Sequence, residues 1–316
     1  MVSVGLVLGG GGIAGAAWHG AALAALEEVG WDARTADLVV GTSAGAGVAA
    51  VVRLGVPPSD LVAGALGRPM SPVGEDHAAR AGGPIQIPTP PAGRRLPRPA
   101  APHLLLRAAS DPWRFRPLLA MAALLPAGQV PTDVIGDRIR RTHDEPWPDR
   151  PTWITAVRLR DGRRVVFGRD VDADLATAVE ASSAIPGWFA PVHHDDETYV
   201  DGGVHSPTNA DLVAGAGFDV VVVSSPMSAT RAALRGVRFR SSRGLHAATL
   251  AREVAQVRAS GTPVLVLQPG PEVVEVVGPT SMDPARRGDI ARVAHETVIA
   301  HLRSERVSDR LDLLRS

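Results

Sequence analysis

The residues best suited to chemistry in this chain form one pentapeptide, Gly41-Thr42-Ser43-Ala44-Gly45. An apolar run at residues 38–40 precedes it, and small residues typical of a helix follow it as far as residue 54. A Gly-x-Ser-x-Gly sequence between a strand and a helix predicts a nucleophile elbow, a tight turn that lifts the serine hydroxyl clear of the sheet. Backbone N–H groups at the start of the helix favour negative charge. The pentapeptide therefore indicates acyl transfer with Ser43 as the nucleophile.

A second glycine cluster, which we call the glycine loop, is Gly10-Gly11-Gly12-Ile13-Ala14-Gly15. It fits the Gly-x-Gly-x-x-Gly pattern of an FAD or NAD site, but that pattern also needs an acidic residue at the end of the second strand. Asp32 and Asp37 both precede that strand. The other interpretation is an oxyanion hole, because consecutive glycines expose several N–H donors. We favour the oxyanion hole and keep the dinucleotide site as the alternative.

Two residues near position 200 are candidates for the base that a serine nucleophile needs. Asp201 follows a short predicted strand, and Gly202 and Gly203 allow the chain to turn closely around it. His205 lies four residues further on and is the one histidine that we carry as a candidate. An Asp-Gly pair is also common in plain surface turns, so the residues alone leave the choice of base open.

Four motifs, in the same order, resemble the patatin-like phospholipase family. They are the glycine loop, the pentapeptide around Ser43, the stretch Ala181-Ser182-Ser183-Ala184-Ile185-Pro186-Gly187-Trp188-Phe189-Ala190-Pro191, and Asp201-Gly202-Gly203. The resemblance covers roughly residues 4–209, with a proline-rich segment outside it. It implies a lipid acyl hydrolase, of phospholipase A or esterase type, that uses a serine–aspartate dyad without a histidine.

Carried onto this chain, the resemblance implies Ser43 as nucleophile, Asp201 as base, and an oxyanion hole made by the amides of Gly10, Gly11 and Gly12. Gly15, Gly202 and Gly203 would support these residues. We expect Asp201 to lie in a poorly solvated pocket, because burial raises the pKa of a carboxyl above its reference value of about 3.9 and makes it a better base.

The glycine loop departs from the family pattern at one position. The family usually carries Lys or Arg directly before the last glycine, and this chain has Ala14 there. The absence of a basic residue at this position argues against a phospholipid substrate more than it argues against ester hydrolysis. A non-catalytic relative that binds acyl groups is a further alternative.

The composition limits the classes of partner. The chain has 316 residues, 45% of them hydrophobic, a formal net charge of zero and no Cys. We expect no nucleic-acid partner, because a chain with zero net charge does not attract nucleic acid electrostatically. We predict no metal and no organic cofactor, a lipid or acyl-ester substrate, and transient contact with a membrane surface. No signal peptide or membrane-spanning run is evident, which predicts a cytoplasmic protein.

Strand-like and helix-like segments alternate along the chain, which predicts an α/β fold of patatin type. We expect one domain over residues 1–316, with a central, mostly parallel sheet, helices on both faces, and the elbow at a strand end. Prolines crowd residues 67–102, which predicts a flexible surface insert. Residues 103–128 contain an apolar stretch that predicts a helix, as a cap over the site or packed on the body.

Overall fold

A central β-sheet organises the part of the chain that the structure describes. The structure is a computed structural model and describes residues 2–88, 101, 122–236 and 240–316, which contain one eight-stranded sheet. Its strands are β1 (Val4–Leu8), β2 (Leu38–Thr42), β3 (Thr152–Arg158), β4 (Arg164–Phe167), β5 (Val192–His194), β6 (Glu197–Asp201), β7 (Val220–Ser224) and β8 (Val264–Leu267). The strand order is β5-β6-β3-β2-β1-β7-β8, and β4 pairs with β3.

The sheet is mostly parallel. Strands β3, β2, β1, β7 and β8 pair in parallel with their neighbours, whereas β4, β5 and β6 form the antiparallel part. Residues Val220 to Ser224 are buried without a break, as expected for a strand that helices cover on both faces.

Helices cover both faces of the sheet. The helices are α1 (Gly12–Glu28), α2 (Ala44–Arg53), α3 (Pro58–Ala65), α4 (Pro72–Arg80), α5 (Asp133–Thr142), α6 (Leu175–Ser183), α7 (Arg231–Gly236), α8 (Arg240–Ala259), α9 (Pro271–Val277), α10 (Arg287–Leu302) and α11 (Ser308–Arg315). Leu6 and Leu8 of β1 pack in the core with α1, α2, α6 and α10, and Val7 packs on the other face with α8. The predicted α/β class and sheet are confirmed.

The register of β3 brings the ends of β2 and β6 together. Residues 154–157 of β3 pair with β4, and residues 152–155 pair with β2, so β2 and β4 lie on opposite edges of β3. Residues 156–158 of β3 pair with β6, and residues 156 and 157 also pair with β4. Because one residue cannot pair with two strands on the same edge, β6 lies on the edge opposite β4, which is the edge that β2 occupies. Since β2 runs parallel and β6 antiparallel to β3, their last residues meet, with Thr42 opposite Thr155 and Asp201 opposite Ala156.

The surface insert predicted over residues 67–102 contains a helix that we did not predict, α4 (Pro72–Arg80). Ser71 caps this helix, since its hydroxyl accepts from the Gly74 N–H at 3.3 Å. The same hydroxyl donates to the buried carboxylate of Asp60 in α3 at 2.5 Å. A partner eleven residues away in the chain therefore stabilises α4. Residues 89–100 and 102 of the insert, and residues 103–121 of the predicted cap helix, lie outside the described residues.

No helix in the described ranges combines the length and the apolar character that crossing a bilayer requires.

Candidate active site

Ser43 occupies the turn between β2 and α2. Its backbone angles, φ 53° and ψ −120°, lie in a region that non-glycine residues rarely adopt, so the turn is strained. The flanking glycines are needed because the chain is crowded there. A Cβ at Gly41 would lie 2.6 Å from the Ala46 Cα, and a Cβ at Gly45 would overlap the Leu8 carbonyl. The strand–turn–helix geometry is that of a nucleophile elbow.

A second serine, Ser182, is hydrogen-bonded to the backbone of the elbow. The backbone N–H of Ser43 donates to the Ser182 hydroxyl at 2.8 Å. Ser182 is completely buried on α6, and Ser43 itself is only 6% exposed. The sequence placed Ser182 inside a family motif but gave it no role, and no local pattern links it to a residue 139 positions away.

Asp201 ends β6, beside the end of β2 that leads into Ser43. Its Oδ1 accepts from the Gly203 N–H at 2.7 Å. Burial raises the pKa of Asp201 from 3.8 to about 6, and the nearby Ser43 hydroxyl and the Gly203 N–H lower it by less. The structure thus brings the two predicted catalytic side chains together and places the carboxyl in the poorly solvated pocket that we expected.

A buried polar network lies beneath the junction of β2, β3 and β6. The hydroxyls of Thr42 and Thr155 are 2.8 Å apart, and the Asn209 side-chain amide donates to both, at 3.1 and 3.3 Å. A Cβ at Gly202 would overlap the Thr155 hydroxyl, so glycine is required for this close approach. Asn209 has a left-handed φ of 55°, which asparagine tolerates better than most residues. Sequence analysis did not find Asn209.

The glycine loop lies against the elbow, but its three predicted donors are not equivalent. The Gly10 N–H donates to the Pro207 carbonyl at 2.7 Å, so its predicted role as an oxyanion donor is wrong. Gly10 instead permits a close approach, because a Cβ there would lie 3.3 Å from the Ser43 Cβ. The N–H groups of Gly11 and Gly12 donate to no group within the described residues. These two amides are the candidate oxyanion donors.

A buried chain of hydrogen bonds supports the glycine loop from below. The Trp18 Nε1–H donates to the Ser224 hydroxyl at 3.0 Å, and that hydroxyl lies 2.8 Å from Nδ1 of His19. The other ring nitrogen of His19 lies 2.7 Å from the Gly9 carbonyl oxygen and must donate to it. Burial lowers the pKa of His19 to about 4, so the ring is neutral near pH 7. His19 therefore positions the loop and does not act as a base.

A cavity of about 400 Å³ opens beside Ser43. Gly12 also lines it, so the candidate nucleophile and a candidate oxyanion donor face the same space. The walls come from helices α1 to α6, from loop residues and from the start of α10, and they are mainly apolar. Apolar members of the lining include Ile13, Val48, Leu61, Ile85, Ile139 and Phe189. Such a cavity suits an acyl chain.

Comparison with known proteins identifies the family of this chain. Residues 6–214 match the family described as patatin-like phospholipase. The chain belongs to the patatin-like phospholipase family. It is also similar in structure to VipD from Legionella pneumophila, with 14% sequence identity and a TM-score of 0.42. The similarity covers 95% of this chain and 66% of the VipD chain, so this chain spans less than two thirds of that structure.

The acidic residues of the dinucleotide interpretation lie away from the end of β2. Asp37 accepts from the Val4 N–H at 2.7 Å at the start of β2, and Asp32 binds Arg34, so neither is at the strand end that a dinucleotide ribose would need. His205 follows a 3-10 turn, Gly202–Val204, that begins directly after Asp201. Within the described residues, no group of three or more His, Asp or Glu side chains could hold a metal ion.

Proposed function

We propose that this protein hydrolyses carboxylic esters of apolar acyl groups through a Ser43 acyl-enzyme, with Asp201 as the general base. The observation that carries the proposal is that the ends of β2 and β6 meet, which brings Ser43 close to the buried carboxyl of Asp201. Burial raises the pKa of that carboxyl to about 6. A carboxylate with that pKa is ionised near pH 7 and is a stronger base than an exposed aspartate. The mainly apolar cavity beside Ser43 would hold the acyl chain.

The first half of the reaction forms the acyl-enzyme. The Asp201 carboxylate accepts the Ser43 hydroxyl proton as Oγ attacks the ester carbonyl carbon. The negative charge moves to the carbonyl oxygen, where the N–H groups of Gly11 and Gly12 stabilise it. The protonated Asp201 returns its proton to the departing alkoxide, which leaves as an alcohol, and the acyl group remains on Ser43.

The second half releases the acid. Asp201 accepts a proton from water as that water attacks the acyl carbonyl carbon, and the same amides hold the second oxyanion. Collapse of this intermediate breaks the bond to Ser43, and Asp201 returns the proton to the serine oxygen. No cofactor takes part in the proposed cycle, and we expect it to run in the cytoplasm with transient contact at a lipid surface.

The proposal is tested by hydrolysis of p-nitrophenyl esters with acyl chains of increasing length. Ser43→Ala and Asp201→Asn should each lower kcat by roughly 10³-fold or more while the circular dichroism spectrum stays that of the natural chain. His205→Ala should retain most of the activity. Loss of activity in His205→Ala with activity kept in Asp201→Asn would favour a histidine base. An inactive natural chain that still binds the acyl product would favour the non-catalytic relative.

A further inference from the structure

The cavity beside Ser43 contains two cations that an acyl chain does not need. Arg138 of α5 and Arg287, the first residue of α10, both line it. Arg138 lies on an otherwise mainly apolar face of α5, because the residues that line the cavity follow helical spacing at Ile135, Arg138, Ile139 and Thr142. A half-buried arginine on such a face calls for an anionic partner.

Neither guanidinium has a carboxylate partner among the described residues. One nitrogen of Arg138, Nη1, donates to the carbonyls of Ala81 and Gly83, and its Nε and Nη2 bind no other described group. Arg287 makes no side-chain hydrogen bond or ion pair within the described ranges. The two positive charges lie near enough that Arg287 contributes to the lowered pKa of Arg138, behind burial and Arg141. An anion between them would relieve this repulsion.

Two other polar side chains of the cavity bear on its charge. His77 of α4 has a buried Nδ1 without a hydrogen-bond partner among the described residues, which indicates a missing polar ligand. Asp60 is the acidic side chain of the described lining, but its carboxylate already accepts from the Ser71 N–H at 2.8 Å and from the Ser71 hydroxyl. The lining therefore keeps a net positive charge.

We propose that Arg138 and Arg287 bind an anionic group of the substrate, a phosphate or a carboxylate, while the ester carbonyl lies at Ser43. This inference rests on the proposed ester hydrolysis and names its substrate class as an anionic lipid ester. The two arginines would supply the positive charge that the glycine loop lacks at Ala14. Their planar guanidinium groups suit two-point contacts with phosphate or carboxylate oxygens.

The test compares ligands of equal chain length by isothermal titration calorimetry. Octyl phosphate and octanoate should bind the natural chain roughly 10- to 100-fold more tightly than 1-octanol, the range expected for hydrogen bonds to a charged group. Inorganic phosphate alone should bind weakly, because it cannot fill the apolar part of the cavity. Tighter binding of octyl phosphate than octanoate would identify a phosphate headgroup, and the reverse order a carboxylate.

Arg287→Gln should remove most of the preference for the charged ligands over 1-octanol. Arg138→Gln should do the same, but it also removes donors to Ala81 and Gly83, so Arg287→Gln carries the test. Arg292→Gln is the matched control on α10, since Arg292 pairs with Asp289 and Glu296 and does not line the cavity. Equal affinities for charged and neutral ligands, equal behaviour of the Arg287 and Arg292 variants, or phosphate binding as tight as octyl phosphate would overturn the inference.

Hydrolysis of p-nitrophenyl octanoate by the same samples tests the proposed function separately. Absence of turnover together with charge-selective, Arg287-dependent binding would overturn the hydrolase and keep the anion site. Turnover without charge-selective binding would overturn the anion site alone.

Discussion

Burial of Asp201 affects the stability of the protein as well as its chemistry. The folded state raises the pKa of this carboxyl from 3.8 to about 6, because the charged form is poorly solvated. A raised folded pKa means that the carboxyl favours folding fully below pH 3.8, and that this contribution is lost as the pH rises through about 6. Near pH 7 the ionised Asp201 therefore opposes folding, as expected for a carboxylate held out of water.

We predict that Asp201→Asn gains stability relative to the natural chain as the pH rises from 4 to 8. Asparagine keeps an oxygen that can accept from the Gly203 N–H but cannot ionise, so the gain should approach roughly 2–3 kcal/mol, from about 1.4 kcal/mol per unit of pKa shift. Urea unfolding of both proteins at pH 4, 6 and 8 measures this difference.

Asp219→Asn is the control, because the pKa of Asp219 shifts in the opposite direction. The N–H and hydroxyl of Ser3 both donate to Asp219, and these bonds lower its pKa. The stability that Asp219 gives the natural chain is therefore gained as the pH rises towards about 3.8, so its difference from Asp219→Asn should stay nearly constant between pH 4 and 8. A constant difference between Asp201→Asn and the natural chain from pH 4 to 8 would contradict the assigned environment of Asp201.

Two glycines of α2 differ in whether their surroundings leave room for a side chain. A Cβ at Gly45 would overlap the Leu8 carbonyl of β1, whereas a Cβ at Gly47 would meet no atom within 4 Å. We predict that Gly45→Ala lowers the free energy of unfolding by roughly 3 kcal/mol or more, since backbone must shift to relieve the overlap. Gly47→Ala should raise it by up to about 1 kcal/mol, through helix propensity. Thermal unfolding of the two variants measures both changes. Similar losses of stability in both variants would argue against the packing of α2 on β1.

Elements with strong local signals are the ones that sequence analysis predicted. A few consecutive residues are enough to recognise the apolar runs of β1, β2 and β7 and the turn of the elbow. Helix α4 was missed because its cap depends on Asp60, and the prolines around it favour a loop when read alone. The Gly10 amide was misassigned because its acceptor, the Pro207 carbonyl, is almost 200 residues away. Ser182 and Asn209 act through contacts with residues 139 and 167 positions away.

The charge of the whole molecule predicts which forces contribute to the proposed contact with a lipid surface. Basic and acidic residues number 33 each, so no net field attracts the chain to an anionic bilayer. Apolar side chains at the surface, such as Val73 of α4 at 49% exposure, would then contribute most of the contact.

We predict that sedimentation with zwitterionic vesicles changes by less than about threefold between 0.05 and 0.5 M NaCl, because salt screens only charge attraction. Replacing a third of the lipid with an anionic one should have an equally small effect. Release of the protein from the vesicles by salt would contradict this account and indicate a local basic patch as the contact.

Labelling with a fluorophosphonate, which reacts with activated serines, tests the central claim most directly. The account predicts one adduct per chain, located by mass spectrometry on the peptide that contains Ser43, no adduct in Ser43→Ala, and labelling of Asp201→Asn slowed by at least 100-fold. An unlabelled Ser43 in the natural chain, or equally fast labelling of the natural chain and Asp201→Asn, would contradict a serine that Asp201 activates.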